Sequence, residues 1–291
     1  MKVMVIGAGG YIGGHLCRHL ASHSAAVSAA SSKDGTGIDP ETGLLSSRFA
    51  VPPGVDVVFY LAASPIYGEA PQAAAHIFAV NVLSAIGAAE MARQAGARRF
   101  IYASTGSVYQ PTFAPCLESS PLRRDDWYSL SKAHAEESLT LFRRWMEVVV
   151  VRLFGVYGPG QRARLVPRLV DLVRTGNVVR LHARDGEGEA TGGLRISPCY
   201  VKDVIEILTQ LAHGGRVGCL NVASPEVVSI REIAETIGRY VGKGPVFEIA
   251  STPREFDLIA DISLLERELA PSFTPFALGL SRTVAEGEPH A

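Results

Sequence analysis

Gly7, Gly10 and Gly13 stand three apart in GAGGYIG, directly behind the apolar run Val3, Met4, Val5 and Ile6. No other feature constrains the fold as much. The run is too short for a helix and reads as a buried strand. Beyond the glycines, Tyr11, Ile12, Leu16 and Leu20 recur at the spacing of a helix's inner face. The chain must pass from strand through tight turn to helix. Gly7 supplies the positive φ that such a turn needs. Gly10 lets the backbone touch a ligand, and Gly13 lets the helix lie close on the strand. The helix N-terminus offers free N–H groups and partial positive charge, which suit a pyrophosphate. A glycine-rich turn with no ligand is the competing reading. The spacing is not that of the commonest dinucleotide fingerprint, so further signals must decide.

Strand-like runs recur: VFYLAA (58–63), RFIYAS (99–104) and VVVVRLFG (148–155). Between them lie the long Ala-rich stretch AAAHIFAVNVLSAIGAAEMARQAG and a second helical stretch from about Ser129 to Trp145. Continuous buried strands alternating with helices predict an α/β fold with a doubly wound parallel sheet. Ligands then sit at the carboxyl ends of the strands. Beyond Gly158 prolines and glycines increase. Residues 1–157, with a return around 198–223, read as a dinucleotide-binding domain. Residues 158–291 read mainly as a smaller substrate-binding lobe, with 184–193 as a mobile loop.

Composition narrows the function. The chain has 291 residues, 47% of them hydrophobic, and a net charge of −1 with no basic block, which argues against nucleic acid. Cys17, Cys116, Cys199 and Cys219 lie far apart without metal-ligand spacing and read as reduced thiols of a cytoplasmic protein. A first strand at residue 2 leaves no room for a signal peptide, and no run is expected to reach the apolar length of a membrane span.

Two later motifs carry chemistry. In YSLSK, Tyr128 and Lys132 lie four apart at a helix start and share one face. A free phenol is a poor base at neutral pH, and a nearby ammonium is expected to lower its pKa. Tyr128 then exchanges a proton with an alcohol as hydride leaves the same carbon. In YASTGSVY, at the end of a strand, a hydroxyl is placed to hold the substrate oxygen beside Tyr128.

Taken in order, GAGGYIG, DVVFYLAA, NV at Asn81, STGSVY, YSLSK, RLFGVYGPGQ, YVKDV, NVAS and PREFDLIADISLLERELA resemble the extended short-chain dehydrogenase/reductases of the NAD-dependent epimerase/dehydratase family. UDP-galactose 4-epimerase typifies that family. The resemblance implies a Rossmann-type fold, a nicotinamide cofactor, a nucleotide-sugar substrate and a homodimer built on the helices around 81–94 and after Tyr128. It implies Thr105, Tyr128 and Lys132 as the catalytic set, with Tyr128 and Lys132 also at the cofactor. It assigns the cofactor to Gly7, Gly10, Tyr11, Ile12 and Gly13, to Ser31, Ser32 and Lys33, to Asp39 near the adenine, to Leu61, Ala62 and Ala63, and to Asn81. Substrate contacts are implied for Ser104, Thr105, Ser107, Arg195, Arg254 and Asp257.

Three departures matter. NAD-using members usually carry an acid at the end of the second strand, where Ala30 stands here, followed by Ser31, Ser32 and Lys33. NAD is expected, with NADP as the alternative. Gly155 replaces an asparagine that touches the substrate diphosphate in many members. Gly106 and Ser107 occupy the places of the acid pair of the 4,6-dehydratases, which argues against that elimination. The leading expectation is a nucleotide-sugar 4-epimerase working through a 4-keto intermediate. The alternatives are an NADPH-dependent reductase of a keto-sugar or related carbonyl, and a non-catalytic dinucleotide sensor.

Overall fold

The computed structural model describes residues 1–162, 164–188, 191–214 and 217–286. Strand β1 (Lys2–Ile6) leads through the glycine turn into helix α1 (Tyr11–Ser22), and β2 (Ala26–Ala30) follows. An irregular segment then runs to β3 (Val57–Tyr60). A single helical rod comprises α2 (Ala74–Phe78), a π-helical turn (Ala79–Leu83) and α3 (Ser84–Gln94). Then come β4 (Arg99–Thr105), α4 (Trp127–Thr140) and β5 (Glu147–Leu153). The second part contains β6 (Val156–Tyr157), α5 (Leu165–Thr175), β7 (Val178–Leu181), β8 (Arg195–Ile196) and β9 (Cys199–Tyr200). It continues with α6 (Val201–His213), β10 (Gly218–Val222), β11 (Val228–Ser229), α7 (Ile230–Val241), β12 (Val246–Ile249), α8 (Ser263–Leu269) and α9 (Phe276–Glu286).

Six strands form one parallel sheet in the order β10-β5-β4-β3-β1-β2. The chain winds one way from β1 to β2 and the other way from β3 onward. The crevice between the carboxyl ends of β1 and β3 is therefore the topological switch point, where such sheets bind ligands. The standard six-strand order places a further strand outside β2. Here the 31–56 segment forms neither helix nor strand, apart from an Ile38–Leu45 bridge. Its buried Ile38, Phe49 and Val55 join the core under α3 and α4, so the segment packs as a cover.

Alternate side chains of the central strands feed two cores. Val3, Val5, Val57, Phe59 and Ile101 face α1 and α6, whereas Met4, Ile6, Val58, Tyr60 and Phe100 face α3 and α4. A third core gathers side chains of α5, α7, α9 and β7. β10 pairs with β5 in the main sheet, and α6 packs on the same core as α1.

Two expectations change. The rod Ala74–Gln94 is, by length and composition, long and apolar enough to cross a membrane, contrary to the sequence expectation. Half of its apolar window is buried in the protein: Ala85, Ala88, Ala89 and Ala92 are fully enclosed, and small apolar side chains let a core helix lie close on a sheet. The π-helical turn has a local cause. Tyr60 and Tyr102 project from neighbouring strands and donate their hydroxyls to the Val80 and Asn81 carbonyls, at 2.5 and 3.0 Å. The second helix begins at Trp127 rather than Ser129, because Asp126 caps it through Ser129 N–H at 2.8 Å. It ends at Thr140 and tightens into a 3-10 turn over Leu141–Arg144.

A Cβ on Gly13 would stand 2.2 Å from the Gly7 carbonyl oxygen, whereas one on Gly14 would meet only Ala8 O at 3.6 Å. Gly13→Ala should lose about 1–3 kcal/mol of stability, the usual cost of overpacking. Gly14→Ala should hold or gain up to about 1 kcal/mol through helix propensity. Urea unfolding of both variants checks the pair; equal effects would contradict the close contact.

Candidate active site

The glycine turn is anchored from below. Gly7 N–H and Ala8 N–H both donate to the Ala30 carbonyl at the end of β2, at 3.0 and 3.1 Å. Gly7 has φ +88°, and a Cβ there would lie 2.7 Å from Ala62 N, so the turn rests directly on the chain leaving β3. Gly10 is the N-cap of α1, with no side-chain cap and no acid in the first turn. Its Cβ position is open apart from Gly7 O at 3.1 Å. The first N–H groups of α1, around Tyr11, Ile12 and Gly13, thus keep their electrostatic demand for an anion. Tyr11 Oη lies 2.8 Å from where a Cβ on Gly158 would stand, so the start of α1 touches the loop behind β6.

Beside this turn, Ser31 is buried and its Oγ accepts Lys33 N–H at 3.1 Å. Gly9 admits it: a Cβ there would lie 2.5 Å from Ser31 Oγ and 3.4 Å from Lys33 Cδ. Sequence reading gives Gly9 no role. Ser32 and Lys33 are exposed at the rim. The nearest following acid, Asp34, is spent on its own turn, bonding Thr36 N–H and Oγ1. Asp39 likewise caps a local turn, its Oδ1 accepting from Glu41 N–H and from Thr42 N–H and Oγ1, and these bonds hold its carboxyl below the ordinary range.

Past β3, Leu61, Ala62 and Ala63 run along the switch point, with Leu61 N–H bonded to Ile6 O at 2.8 Å. Asn81 is fully enclosed. Its Oδ1 accepts Ser64 N–H at 3.2 Å and its Nδ2 donates to Ser131 Oγ at 2.9 Å. It therefore braces α4 against the 61–64 chain rather than presenting its amide to the crevice.

Tyr128 lies in the first turn of α4, half-buried, with its ring 4.8 Å from that of Tyr67. The Arg164 guanidinium stands over Tyr67, 5.4 Å from its ring centre, and bonds its hydroxyl. Tyr67 and Arg164 escaped sequence reading because they come from separate loops. Lys132 is buried; its Nζ donates to Ala103 O at 2.8 Å and sits 4.7 Å from the Tyr102 ring centre. The expected lowering of the phenol by this lysine does not hold. Burial pushes Tyr128 up to about 12, opposed by Arg164, and pushes Lys132 down to about 7, opposed by Glu136. Loss of water outweighs the pairing, as burial disfavours both charged forms.

Thr105 ends β4, half-buried, with its Oγ1 accepting Ser107 N–H at 3.1 Å; Ser107 is exposed. Ser104 corrects an expectation. Strand alternation turns it away from Thr105, it is buried, and its hydroxyl donates to Glu136 Oε1, so it does not face substrate. At Gly106 a Cβ would stand 2.5 Å from the Phe154 ring. An acid at the Gly106 place of the dehydratase pair is thus barred by packing as well as by sequence, whereas the Ser107 place is exposed.

Arg195 on β8 is exposed, and no partner of its guanidinium is recorded among the described residues. Its N–H and the Nε of Arg254 both donate to Oδ1 of buried Asp257, at 2.9 and 3.0 Å. Asp257 braces two arginines. Both terminal nitrogens of Arg254 go to Glu187, whose carboxyl those bonds hold down at about 2. Arg184 and Arg254 flank the Phe113 ring, 4.2 and 5.5 Å from its centre. Of the loop expected to be mobile, residues 189 and 190 lie outside the described residues. Glu187 ties together much of the rest, accepting Arg184 N–H at 3.0 Å and Thr191 Oγ1 at 2.7 Å. Gly155 has φ +44°, a conformation asparagine also tolerates. A Cβ there, however, would meet Ser197 O at 2.9 Å, so Ser197 has closed over the asparagine's place.

The sequence profile of the NAD dependent epimerase/dehydratase family matches residues 3–223. Among curated proteins, UDP-glucuronic acid decarboxylase 6 of Arabidopsis thaliana is 28% identical over 196 residues, 63% of this chain and 54% of that protein. The dTDP-D-glucose 4,6-dehydratase of Mus musculus is 28% identical over 188 residues, 63% of this chain and 51% of that protein. The chain spans about half the length of the curated relatives it matches. Among solved structures, the UDP-glucose 4-epimerase of Thermus thermophilus in complex with NAD superposes with a TM-score of 0.79 at 25% identity, covering 98% of both chains. The UDP-glucuronic acid 4-epimerase of Bacillus cereus in complex with NAD shares the fold, with a TM-score of 0.81 at 24% identity over 98% of this chain and 96% of that one. With its glycine turn, Thr105, Tyr128 and Lys132 arranged at the carboxyl ends of one parallel sheet, this chain belongs to the NAD-dependent epimerase/dehydratase family.

Proposed function

We propose that the protein is a nucleotide-sugar 4-epimerase. One observation carries this reading: Thr105, Tyr128 and Lys132 share the sheet end with an uncapped helix N-terminus, while packing against Phe154 closes the first of the two acid positions used for dehydration. The open face of Gly10 and the uncapped start of α1 fit the pyrophosphate of NAD. When bound, NAD supplies the acceptor and donor of hydride. Tyr128, as the phenolate, takes the proton of the sugar hydroxyl and, as the phenol, returns it; Thr105 holds the oxygen, and the Lys132 ammonium stabilises the phenolate. Burial raises Tyr128 to about 12 and so disfavours the phenolate, and positive charge beside it favours that form. Arg195 and Arg254 anchor the nucleotide diphosphate, which must displace Glu187 from Arg254.

The test is incubation with NAD and UDP-hexoses, following the epimer by NMR. Tyr128→Phe should keep its fold and NAD binding and lose roughly 10²–10⁴ in turnover. A product that has lost water or carbon dioxide, or near-normal turnover in the variant, would defeat the assignment.

A reductase of keto-sugars is the second reading, favoured by the lack of an acid after Ala30 and by Lys33 at the rim. Calorimetry of cofactor-free protein should show NAD bound at least as tightly as NADP. An NADP preference of about tenfold that Lys33→Ala abolishes would favour the reductase; a charge-assisted bond to a 2′-phosphate is worth that much.

The same reading includes a homodimer through α3 and α4. Leu83, Trp127 and Leu141 on and beside these helices are 58%, 45% and 65% exposed, a large apolar exposure for helices to leave in water. Light scattering at micromolar concentration should give twice the chain mass; a monomer there rejects the dimer.

A further inference from the structure

Tyr128, Lys132 and Glu136 follow at four-residue steps along one face of α4. The proposed chemistry uses the first two. Glu136 is buried, and so is its partner Arg152 on β5, each 5% exposed. Arg152 Nη2 donates to Oε2 at 2.6 Å, and its Nε reaches Oε1 and Oε2 at 3.1 and 3.2 Å. Ser104, the residue before Thr105, donates a short hydrogen bond to Oε1. The remaining Arg152 donor, Nη1, serves Tyr109 Oη at 2.8 Å and Glu118 O at 3.0 Å, and Tyr109 donates onward to Asn221 Oδ1 at 2.6 Å. A buried ion pair is weak as a source of stability, since apolar side chains of the same volume often do as well. This one lies beside the catalytic lysine and bonds the strand end that presents the catalytic threonine.

We propose that Glu136 is a positioning residue of the active site, whose carboxylate, held in place by Arg152, keeps Lys132 an ammonium and, through Ser104, steadies the strand end at Thr105. The inference rests on the reading of Lys132 as the partner of Tyr128. The groups around Lys132 come from three strands as well as its own helix. Tyr128 and Glu136 share α4; β4 contributes the Tyr102 ring and the Ala103 carbonyl. Behind Glu136 stand Arg152 on β5, Tyr109 after β4 and Cys219 on β10. Glu136 is the charge that acts on Lys132, and it opposes the burial that pushes the amine down to about 7. The sign follows. Without the carboxylate, burial acts unopposed, the midpoint falls, and the neutral amine dominates at neutral pH.

The chain has only five lysines, so NMR of the full protein carrying isotope-labelled lysine follows Lys132 through a pH titration, assigned by its loss in Lys132→Met. Glu136→Gln keeps the hydrogen-bonding shape and removes the charge. Its Lys132 midpoint should fall by about one pH unit, a tenfold weaker hold on the proton, and Glu136→Asp should restore most of it. A purely structural role would shift the urea midpoint and leave the Lys132 titration in place, which would overturn the proposal. Should Glu136→Gln not fold with Arg152 left unpaired, Glu136→Gln/Arg152→Gln removes the pair as a unit. Its Lys132 midpoint should again fall, though by less, because a cation farther from the amine leaves with the carboxylate, and an unmoved one again overturns the proposal. Neither measurement uses a substrate. A shifted Lys132 in a protein that epimerises no nucleotide sugar would defeat the functional reading and leave this inference standing.

Discussion

Backbone rests on backbone where the turn after β1 meets the chain leaving β3, with the position of a Gly7 Cβ only 2.7 Å from Ala62 N. The contact between Gly13 and Gly7 O brings α1 against the same turn. No side chain larger than hydrogen fits at either point. These two approaches aim the uncapped end of α1 across the switch point, and the sheet carries Thr105 and Tyr128 to the same end. Ala30 O accepts both turn amides, which ties β2, and with it Ser31 and Lys33, to the rim of the same crevice.

Charge at this site is set against burial. Tyr128 and Lys132 have both been taken from water, and each is driven toward its neutral form. The surrounding charges oppose that drive: Arg164, held over Tyr67, acts on Tyr128, and Glu136, one helical turn beyond Lys132, acts on the amine. Glu136 is itself tolerable inside the protein only because Arg152 meets both its oxygens. The pairing thus extends from the catalytic helix through β5 to Tyr109 and Asn221.

At the other side of the site, an acid occupies an arginine. Glu187 makes two bonds to Arg254, whose Nε is held by buried Asp257, with Phe113 packed against the guanidinium. Two parallel bonds from a planar fork are the geometry an arginine also offers a phosphate.

The alternation of strands and helices up to about residue 155, the glycine turn and the spacing of Tyr128 and Lys132 were legible along the chain, because periodicity, φ preference and helical spacing are local properties. Ala30 as the end of β2 was legible for the same reason. Tertiary structure decided what depends on neighbours distant in sequence. It turned Ser104 toward Glu136, enclosed Asn81 between Ser64 and Ser131, and packed Tyr67, with Arg164 over its ring, against Tyr128. It also reversed the expected pKa of the phenol, since desolvation depends on everything packed around a group and a four-residue spacing records only one neighbour.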